Sequence, residues 1–329
     1  MIRLLQIVGS IIALLIGLHL LNWQQLWQSA SRIDVLSLLL GLLLAVASVG
    51  LVGLRWINIV RRIAPAPLYE QCRLYCLGTF FNSFTPANIG GDVYRVLALR
   101  SWTADRSVSG LLAAVTVERI LGLGSFLAGY LLALAAHMAI TRGEARHLPG
   151  LLLYPAPPAL LVLLVMVLLP RFRLDPFLPL RFRSGRIGGR LHDFELGARM
   201  AISANLWRLG GLSLLAWASW AATVLTIGSN LNLNLPIATV AMIVSLTEII
   251  RLVPISFQGI GIREGAFSVL IGLAGGSPAT GFVVAAVAYA VMSLALALSG
   301  VVGAALGLIP QQWLAGAANR VGVNSPGEQ

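Results

Sequence analysis

The stretch FFNSFTPANIGGDVYRVLALR, residues 80–100, decides how this chain folds. An apolar run reaches Thr85-Pro86, and a short helical pattern restarts after Gly90-Gly91. Proline removes a backbone donor and paired glycines permit backbone angles that other residues resist, so a helix must break here. An unpaired backbone group is costly at membrane depth unless protein or a water-filled cavity satisfies it. A broken, polar segment in such surroundings is typical of a transporter site.

The composition around this break is that of a membrane protein. Of the 329 residues, 58% are hydrophobic and 11% are charged, whereas a soluble domain carries about a quarter charged residues. Several apolar segments reach the roughly 20 residues that a helix needs to cross a bilayer. We therefore predict an all-α polytopic membrane protein with about six full spans and two re-entrant or broken-helix hairpins, arranged as pseudo-repeat halves.

The chain divides into two halves around a basic loop. The predicted full spans are residues 1–21, 35–56, 109–140, 151–169, 206–228 and 280–309. The predicted hairpins are 72–100 in the first half (1–169) and 248–275 in the second half (206–310). Between the halves lies a basic loop, 170–205, with an interfacial helix, and a polar tail, 311–329, follows them.

Arginines set the predicted orientation. Arg61 and Arg62 follow the second span, and eight arginines lie between residues 171 and 208. Because positive charge is enriched in cytoplasmic loops, both regions are predicted to be cytoplasmic. This places the N-terminus in the cytoplasm and indicates a multi-pass protein of the inner (plasma) membrane.

A second break, PISFQGIGIREGAF at residues 254–267, resembles the first. Each has a proline, small or amide residues, two glycines, and then an acid close to an arginine at the start of a new helix. The first set is Pro86, Asn88, Gly90, Gly91, Asp92 and Arg95, and the second is Pro254, Ser256, Gln258, Gly259, Gly261, Arg263 and Glu264. Two corresponding broken segments indicate a repeat transporter with its site between the halves.

Four acids and four arginines lie in or beside apolar segments: Asp92, Arg95, Glu118, Arg119, Glu248, Arg251, Arg263 and Glu264. Each costs about 2.5–3.5 kcal/mol at the centre of a spanning helix, so we expect them to be paired or hydrated. Asp92 can meet Arg95 on one helix face, as Glu248 can meet Arg251, whereas the adjacent pairs 118–119 and 263–264 point apart. We therefore expect one polar cluster that joins both breaks, in a place suited to a phosphate.

The motifs NSFTPANIGGDVYRVLAL, VERILGL and PISFQGIGIREGAF resemble the lysylphosphatidylglycerol synthase transmembrane region, also called the flippase-like family. The resemblance implies an integral inner-membrane protein that moves a lipid or polyprenyl-linked headgroup between leaflets. Members with lysyl-transfer activity carry an additional soluble domain, which we do not expect in a chain that ends at Gln329. The residues carried over are Asn82, Pro86, Gly91, Asp92, Arg95, Glu118, Arg119, Pro254, Gly259, Gly261, Arg263 and Glu264.

The predicted substrate-binding residues come from both breaks and the charged pair of the VERILGL motif. They are Asn82, Pro86, Asn88, Gly90, Gly91, Asp92, Arg95, Glu118, Arg119, Ser256, Gln258, Gly259, Gly261, Arg263 and Glu264. Arg95, Arg119 and Arg263 are expected to hold a phosphate-bearing headgroup, with the acids balancing their charge. The expected partners are a phospholipid or polyprenyl-phosphate-linked lipid, the membrane, and a second copy or a lipid-modifying enzyme. We expect no metal, cofactor or nucleic acid.

Other interpretations of these residues remain open at this point. Asp92 is also a good helix N-cap, and Glu264 can complement a helix dipole. Glu248 and Arg251 are expected to form a structural pair at the membrane edge. An integral-membrane transferase would use Asp92 or Glu264 as a base on a lipid-linked substrate. A third possibility is a non-transporting membrane partner of such an enzyme.

Overall fold

A computed structural model describes residues 24, 28, 31–85, 88–103, 108–140, 150–168, 186–202, 206–231, 233, 235–252 and 256–308. The predicted span 1–21, the polar tail and the first part of the basic loop lie outside these residues, as do Pro86 and Pro254. Within the described residues every regular element is a helix, which confirms the predicted all-α class.

The helices follow the apolar segments of the sequence. They are α1 (Val35–Val60), α2 (Leu68–Asn82), α3 (Gly90–Leu99), α4 (Val108–Ile140), α5 (Gly150–Leu153), α6 (Ala156–Leu168), α7 (Arg186–Ile202), α8 (Leu206–Ser229), α9 (Ile237–Ile250), α10 (Ile262–Leu273) and α11 (Pro278–Leu308). Short 3-10 turns occur at Arg100–Trp102 and Phe257–Gly259. By length and composition α1, α4, α8 and α11 are able to cross a membrane. The chain is thus a multi-pass membrane protein.

The predicted span 151–169 is not one continuous helix. It is divided into α5 and α6, with the division at Tyr154 and Pro155. The residue before a proline is disfavoured in helical geometry, which explains where α5 ends. The 13 residues of α6 rise about 20 Å at 1.5 Å per residue. This is less than the roughly 30 Å thickness of a bilayer core.

The same order of elements occurs twice in the described chain. A long helix, a short helix, a break, a short helix and a long helix make up α1–α4, and the same order makes up α8–α11. The helix lengths are 26, 15, 10 and 33 residues in the first set and 24, 14, 12 and 31 in the second. Each set packs against the other, since α1 lies against α8, α2 against α11, and α4 against α9.

The α1–α8 contact is antiparallel and polar at both ends. Ser37 Oγ near the start of α1 donates to Asn230 Oδ1 beyond the end of α8 at 2.9 Å. Near the other end, Arg55 Nη1 donates to Ser213 Oγ at 2.9 Å. Asp34 caps α1 by accepting from the Ser37 N–H at 3.0 Å. Hydrogen bonds from Ser37 and Asn230 lower the pKa of the Asp34 carboxyl.

The α2–α11 contact is closed by glycines. A Cβ placed on Gly300 would lie 2.6 Å from the Phe80 ring, and one on Gly303 would lie 2.9 Å from Leu77 Cγ. Real Cβ atoms do not approach that closely, so only glycine allows the two helices this separation. Gly300 and Gly303 therefore serve close packing of α2 against α11.

The predicted helix in the basic loop is present as α7. One side of it rests on the start of α4, where Gly197 comes so close that a Cβ would lie 2.6 Å from Gly110 Cα. Ala201 at its end is fully buried. The helix thus has a protein-facing stripe that includes Ala198, Ala201 and Ile202.

Candidate functional site

The two breaks meet in the structure. Gln258 Nε2 in the second break donates to the carbonyl oxygen of Asn82, at the end of α2, over 3.1 Å. Each break also holds one amide residue in the left-handed backbone region, Asn88 with φ 54° and Gln258 with φ 59°. Backbone strain of this kind persists where the surrounding structure enforces it, and it clusters at functional sites. The sequence prediction that the breaks converge is correct.

The close approach of α2 and α3 requires glycine at position 91. A Cβ on Gly91 would lie 1.7 Å from the Gly78 carbonyl oxygen. The Asn82 side chain fills the space beside it, because Oδ1 accepts from the Gly91 N–H at 2.8 Å and Nδ2 donates to Asp92 Oδ1 at 3.2 Å. Asn82 therefore supplies both a cap for the first turn of α3 and a partner for its acid.

The loop of the first break is held by its own polar groups. The Gly90 N–H donates to Thr85 Oγ1 at 3.0 Å, and the Asn88 N–H donates to the Thr85 carbonyl at 3.2 Å. The Asn88 carbonyl oxygen accepts from Arg119 Nη2 at 2.5 Å. The structure thus brings Asn88, Gly90 and Arg119 together.

Asp92, Arg95, Glu118 and Arg119 form what we call the first-break cluster. Arg95 Nη2 pairs with Asp92 Oδ1 and lies 3.1 Å from Glu118 Oε2. Arg119 Nε donates to Asp92 Oδ2 at 2.8 Å. Two arginines are therefore matched by two acids. Asp92 is not the N-cap of α3, which is Ile89, so its carboxylate serves the arginines.

The two arginines of the first-break cluster differ in exposure. Arg95 is 3% exposed and its guanidinium lies 4.1 Å from the centre of the Trp56 ring. The side chain of Arg119 is 47% exposed. Arg95 is thus enclosed between two acids and an aromatic face, whereas Arg119 is at the surface of the cluster.

The second break starts α10 with a capping box. The Gly261 N–H donates to Glu264 Oε2 at 2.6 Å, and Gly261 has φ 84°. Glu264 thus satisfies the start of its own helix. Arg263 Nη2 lies 3.7 Å from Glu264 Oε1, so the expectation that these neighbours point apart is wrong. Ser256 is buried in the same break.

A cavity of about 250 Å³ lies between the two sets of helices. We call it the central cavity. Its charged and polar lining includes Arg55, Glu248, Arg251, Gln258, Arg263 and Tyr289, and its aromatic lining includes Tyr75, Phe126, Trp217 and Trp220. At about 30 Å³ per water it is large enough for a polar headgroup but not for a whole lipid.

The central cavity has more positive than negative charge in its lining. Glu248 is the acid among its lining residues, and it accepts from Trp220 Nε1 at 3.2 Å, Tyr289 OH at 2.7 Å and Arg251 Nη2 at 2.9 Å. Three arginines therefore share the lining with one carboxylate that already has three donors. The guanidinium of Arg263 lies 3.9 Å from the centre of the Tyr289 ring.

Two of these arginines keep unused donors. Arg55 is 4% exposed and Arg263 is 7% exposed. The Nε atom of each has no hydrogen-bond acceptor among the described residues. A buried guanidinium with spare N–H groups is suited to a phosphate or carboxylate. Within the described part of the chain Arg95 also has Nε and Nη1 without an acceptor, but it lies against Asp92 and Glu118, whereas the two cavity arginines line open space.

The charges of the two breaks do not form the one cluster that the sequence predicted. Among the described residues, every ion pair that the eight charges of the breaks form stays with one break, and an amide hydrogen bond links the two breaks. The reason is that α4 passes beside α3 and brings Glu118 and Arg119 to the first break itself. The predicted pair Glu248–Arg251 is present, and both residues line the central cavity.

Sequence reasoning missed several cavity residues. Arg55 is not among the predicted site residues, yet it is buried and lines the central cavity. A signal was available, because Arg55 lies five residues before the end of a 26-residue apolar helix. Tyr289 and Trp220 had no such signal, since aromatic residues are ordinary in spans.

Comparison with known proteins supports one family. Residues 3–304 match the family described as "Lysylphosphatidylglycerol synthase TM region". The chain is also 26% identical over 194 residues to UPF0104 membrane protein MJ1078 of Methanocaldococcus jannaschii, covering 59% of this chain and 80% of that protein. No solved structure matches the chain.

Proposed function

Because this chain belongs to the lysylphosphatidylglycerol synthase transmembrane-region family, we propose that it binds the phosphate-bearing headgroup of a membrane lipid in the central cavity and moves it between leaflets. The observation that carries the proposal is that three arginines and one acid line a cavity between the two sets of helices, beside the second break. An anionic headgroup would complete the hydrogen bonding of Arg55 and Arg263.

The proposed mechanism uses the repeated order of elements. If α1–α4 and α8–α11 are inverted copies, the antiparallel contact of α1 with α8 follows directly, because an axis in the membrane plane reverses one copy. Transporters of this kind expose a site near the midplane to each side in turn by moving one repeat against the other. In this proposal the breaks are re-entrant hairpins, the N-terminus is cytoplasmic and the membrane is the inner one.

The proposal assigns different roles to the two breaks. Arg95 is enclosed by Asp92 and Glu118, so we assign it to holding the first break together. We assign headgroup binding to Arg55, Arg251 and Arg263 instead. Asp92 is held by arginines and Glu264 by the Gly261 N–H, which leaves neither carboxylate as an available base. Translocation therefore has more support than a transferase reaction.

A leaflet-exchange assay tests the proposal. Proteoliposomes that contain phosphatidylglycerol with a dithionite-sensitive fluorophore on its acyl chain report how fast lipid reaches the outer leaflet. We expect Arg263→Gln to slow the exchange at least about tenfold, since a lost charge-assisted hydrogen bond costs about 1.5–3 kcal/mol. Arg199→Gln is the matched control, because Arg199 pairs with Glu195 on α7, away from the cavity. Equal exchange by wild type and Arg263→Gln would remove the proposed role.

A further inference from the structure

A second, apolar groove of about 420 Å³ lies between α4, α6, α9 and α10. Its floor is buried and consists of Leu127, Tyr130, Ala159, Leu246 and Leu270. The Tyr130 hydroxyl is already used, since it donates to the Leu152 carbonyl at 2.6 Å. The groove therefore presents hydrocarbon to whatever occupies it.

The rim of the apolar groove opens outward. Val162 and Ile250 line it, and each is 38% exposed. Pro158 on the same rim is also exposed. Since the neighbouring α4 is long and apolar enough to cross a membrane, we take the medium beside this rim to be lipid. An opening of this kind admits a hydrocarbon chain from the side.

The groove and the central cavity lie on opposite faces of the same helices. On α9, Glu248 and Arg251 line the cavity, whereas Ile249 and Ile250 line the groove. Because a helix rises 1.5 Å per residue, these positions lie within about 5 Å of one another along the axis of α9. The polar and apolar sites are thus at the same depth.

The corresponding contact in the other half is close at two glycines. The repeated order of elements makes α2–α11 the counterpart of α9–α4, and α2–α11 is closed by Gly300 and Gly303. On α4 the positions that line the groove are Leu123, Leu127 and Tyr130. The groove thus lies where α6 and α10 flank the α4–α9 contact, next to the arginine-rich cavity.

We infer that the apolar groove binds one hydrocarbon chain of the lipid whose phosphate group lies in the central cavity. The inference rests on the proposed function and adds a subsite to it. The end of α9 separates the two sites, and there Ile250 and Leu252 are exposed while Arg251 reaches the cavity. A lipid bound in this way straddles the end of α9. At roughly 30 Å³ for each water-sized group, the groove holds about a dozen methylenes.

Lipid retention measured by native mass spectrometry tests the subsite. The purified protein is titrated with dioleoylphosphatidylglycerol and, separately, with dihexanoylphosphatidylglycerol, which is too short to fill the groove. We expect Ala159→Phe to weaken the binding of dioleoylphosphatidylglycerol at least about tenfold, because a tenfold change in affinity corresponds to burying only a few methylenes. The affinity for dihexanoylphosphatidylglycerol should stay within about twofold of the wild-type value. Ala135→Phe, at an exposed position of α4, is the matched control and should change neither.

A rim variant and a cross-linking measurement cover the case in which Ala159→Phe does not fold. Val162→Phe narrows the mouth of the groove and should also weaken dioleoyl binding alone. A diazirine on the acyl chain of phosphatidylglycerol should label α6 and α9 peptides beside the groove. Unchanged dioleoyl binding by both variants, or labelling spread evenly over the exposed faces of α1 and α11, would overturn the inference.

The same titration separates the subsite from the function on which it rests. Arg263→Gln should weaken the binding of both lipids, because it removes a headgroup contact. If Arg263→Gln weakens binding and the groove variants do not, the chain subsite is wrong and the headgroup site stands. If Arg263→Gln changes the binding of neither lipid, the proposed function itself is wrong. A groove variant that changes the oligomeric state instead of lipid binding would assign the groove to a second copy and also overturn the inference.

Discussion

The two breaks share a sequence plan but differ in charge. At the first break, Asp92 and Glu118 match Arg95 and Arg119, and the cluster is balanced. At the second, Arg251 pairs with Glu248 and Arg263 lies near Glu264, and Arg55 adds a third arginine to the lining of the central cavity. Balanced charge holds a structure together, whereas unbalanced buried charge calls for a ligand.

The difference lies in which helix passes each break. The long helix that follows the first break and α3 is α4, which brings Glu118 and Arg119 to α3. The helix after the second, α11, brings Tyr289, whose ring faces Arg263 and whose hydroxyl donates to Glu248. A tyrosine supplies an aromatic face and a donor but no negative charge. The comparison teaches that one repeated framework can make a structural joint in one half and a binding site in the other.

The largest effect is expected from breaking the balance of the first-break cluster. Asp92→Ala leaves buried Arg95 with one acid and Arg119 without its carboxylate partner. Removing one partner of a buried ion pair costs about 3–5 kcal/mol. Unfolding by sodium dodecyl sulfate in mixed micelles should show a loss of this size. Arg263→Gln should cost less, and a larger loss from it would reverse the roles assigned to the breaks.

A glycine substitution at the second break should disturb the cavity arginines. Gly259 has φ 78°, and a Cβ there would lie 2.6 Å from Arg251 Cγ and 3.1 Å from Arg263 Cγ. Gly259→Ala therefore strains the backbone by about 1–3 kcal/mol and should slow lipid exchange in proteoliposomes. The control is Gly265→Ala on α10, where a Cβ would meet no atom within 4 Å. Similar exchange by both variants would show that the spacing of the arginines is unimportant.

A smaller effect is expected at the contact between the breaks. Gln258→Ala removes the hydrogen bond to the Asn82 carbonyl, which is worth about 0.5–1.5 kcal/mol net. Sodium dodecyl sulfate unfolding should register this modest loss, and hydrogen exchange should increase at the end of α2. A destabilisation as large as that of Asp92→Ala would mean that this contact, and not the ion pairs, holds the breaks together.

The helices and the breaks follow from the sequence because their causes are local. Apolar length predicts the spans, and the glycines at 91 and 259 mark positions where a side chain would collide with Gly78 or Arg251. The partners of the charges do not follow, since they depend on which helices pass one another. The local sequence around Glu118 does not indicate whether this residue reaches Arg95 or the second break. For the same reason the sequence did not predict Arg55 as a cavity residue, since its place in the cavity depends on how α1 lies against α8.

The most direct test is the binding of dihexanoylphosphatidylglycerol to two arginine variants of the purified protein, measured by isothermal titration calorimetry. Arg263 lines the central cavity, whereas Arg119 belongs to the balanced cluster. At about 1.5–3 kcal/mol for a charge-assisted hydrogen bond, Arg263→Gln should weaken binding roughly 10- to 100-fold, and Arg119→Gln should change it by less than about threefold. Equal losses, or a larger loss from Arg119→Gln, would contradict the assignment of the headgroup to the second break.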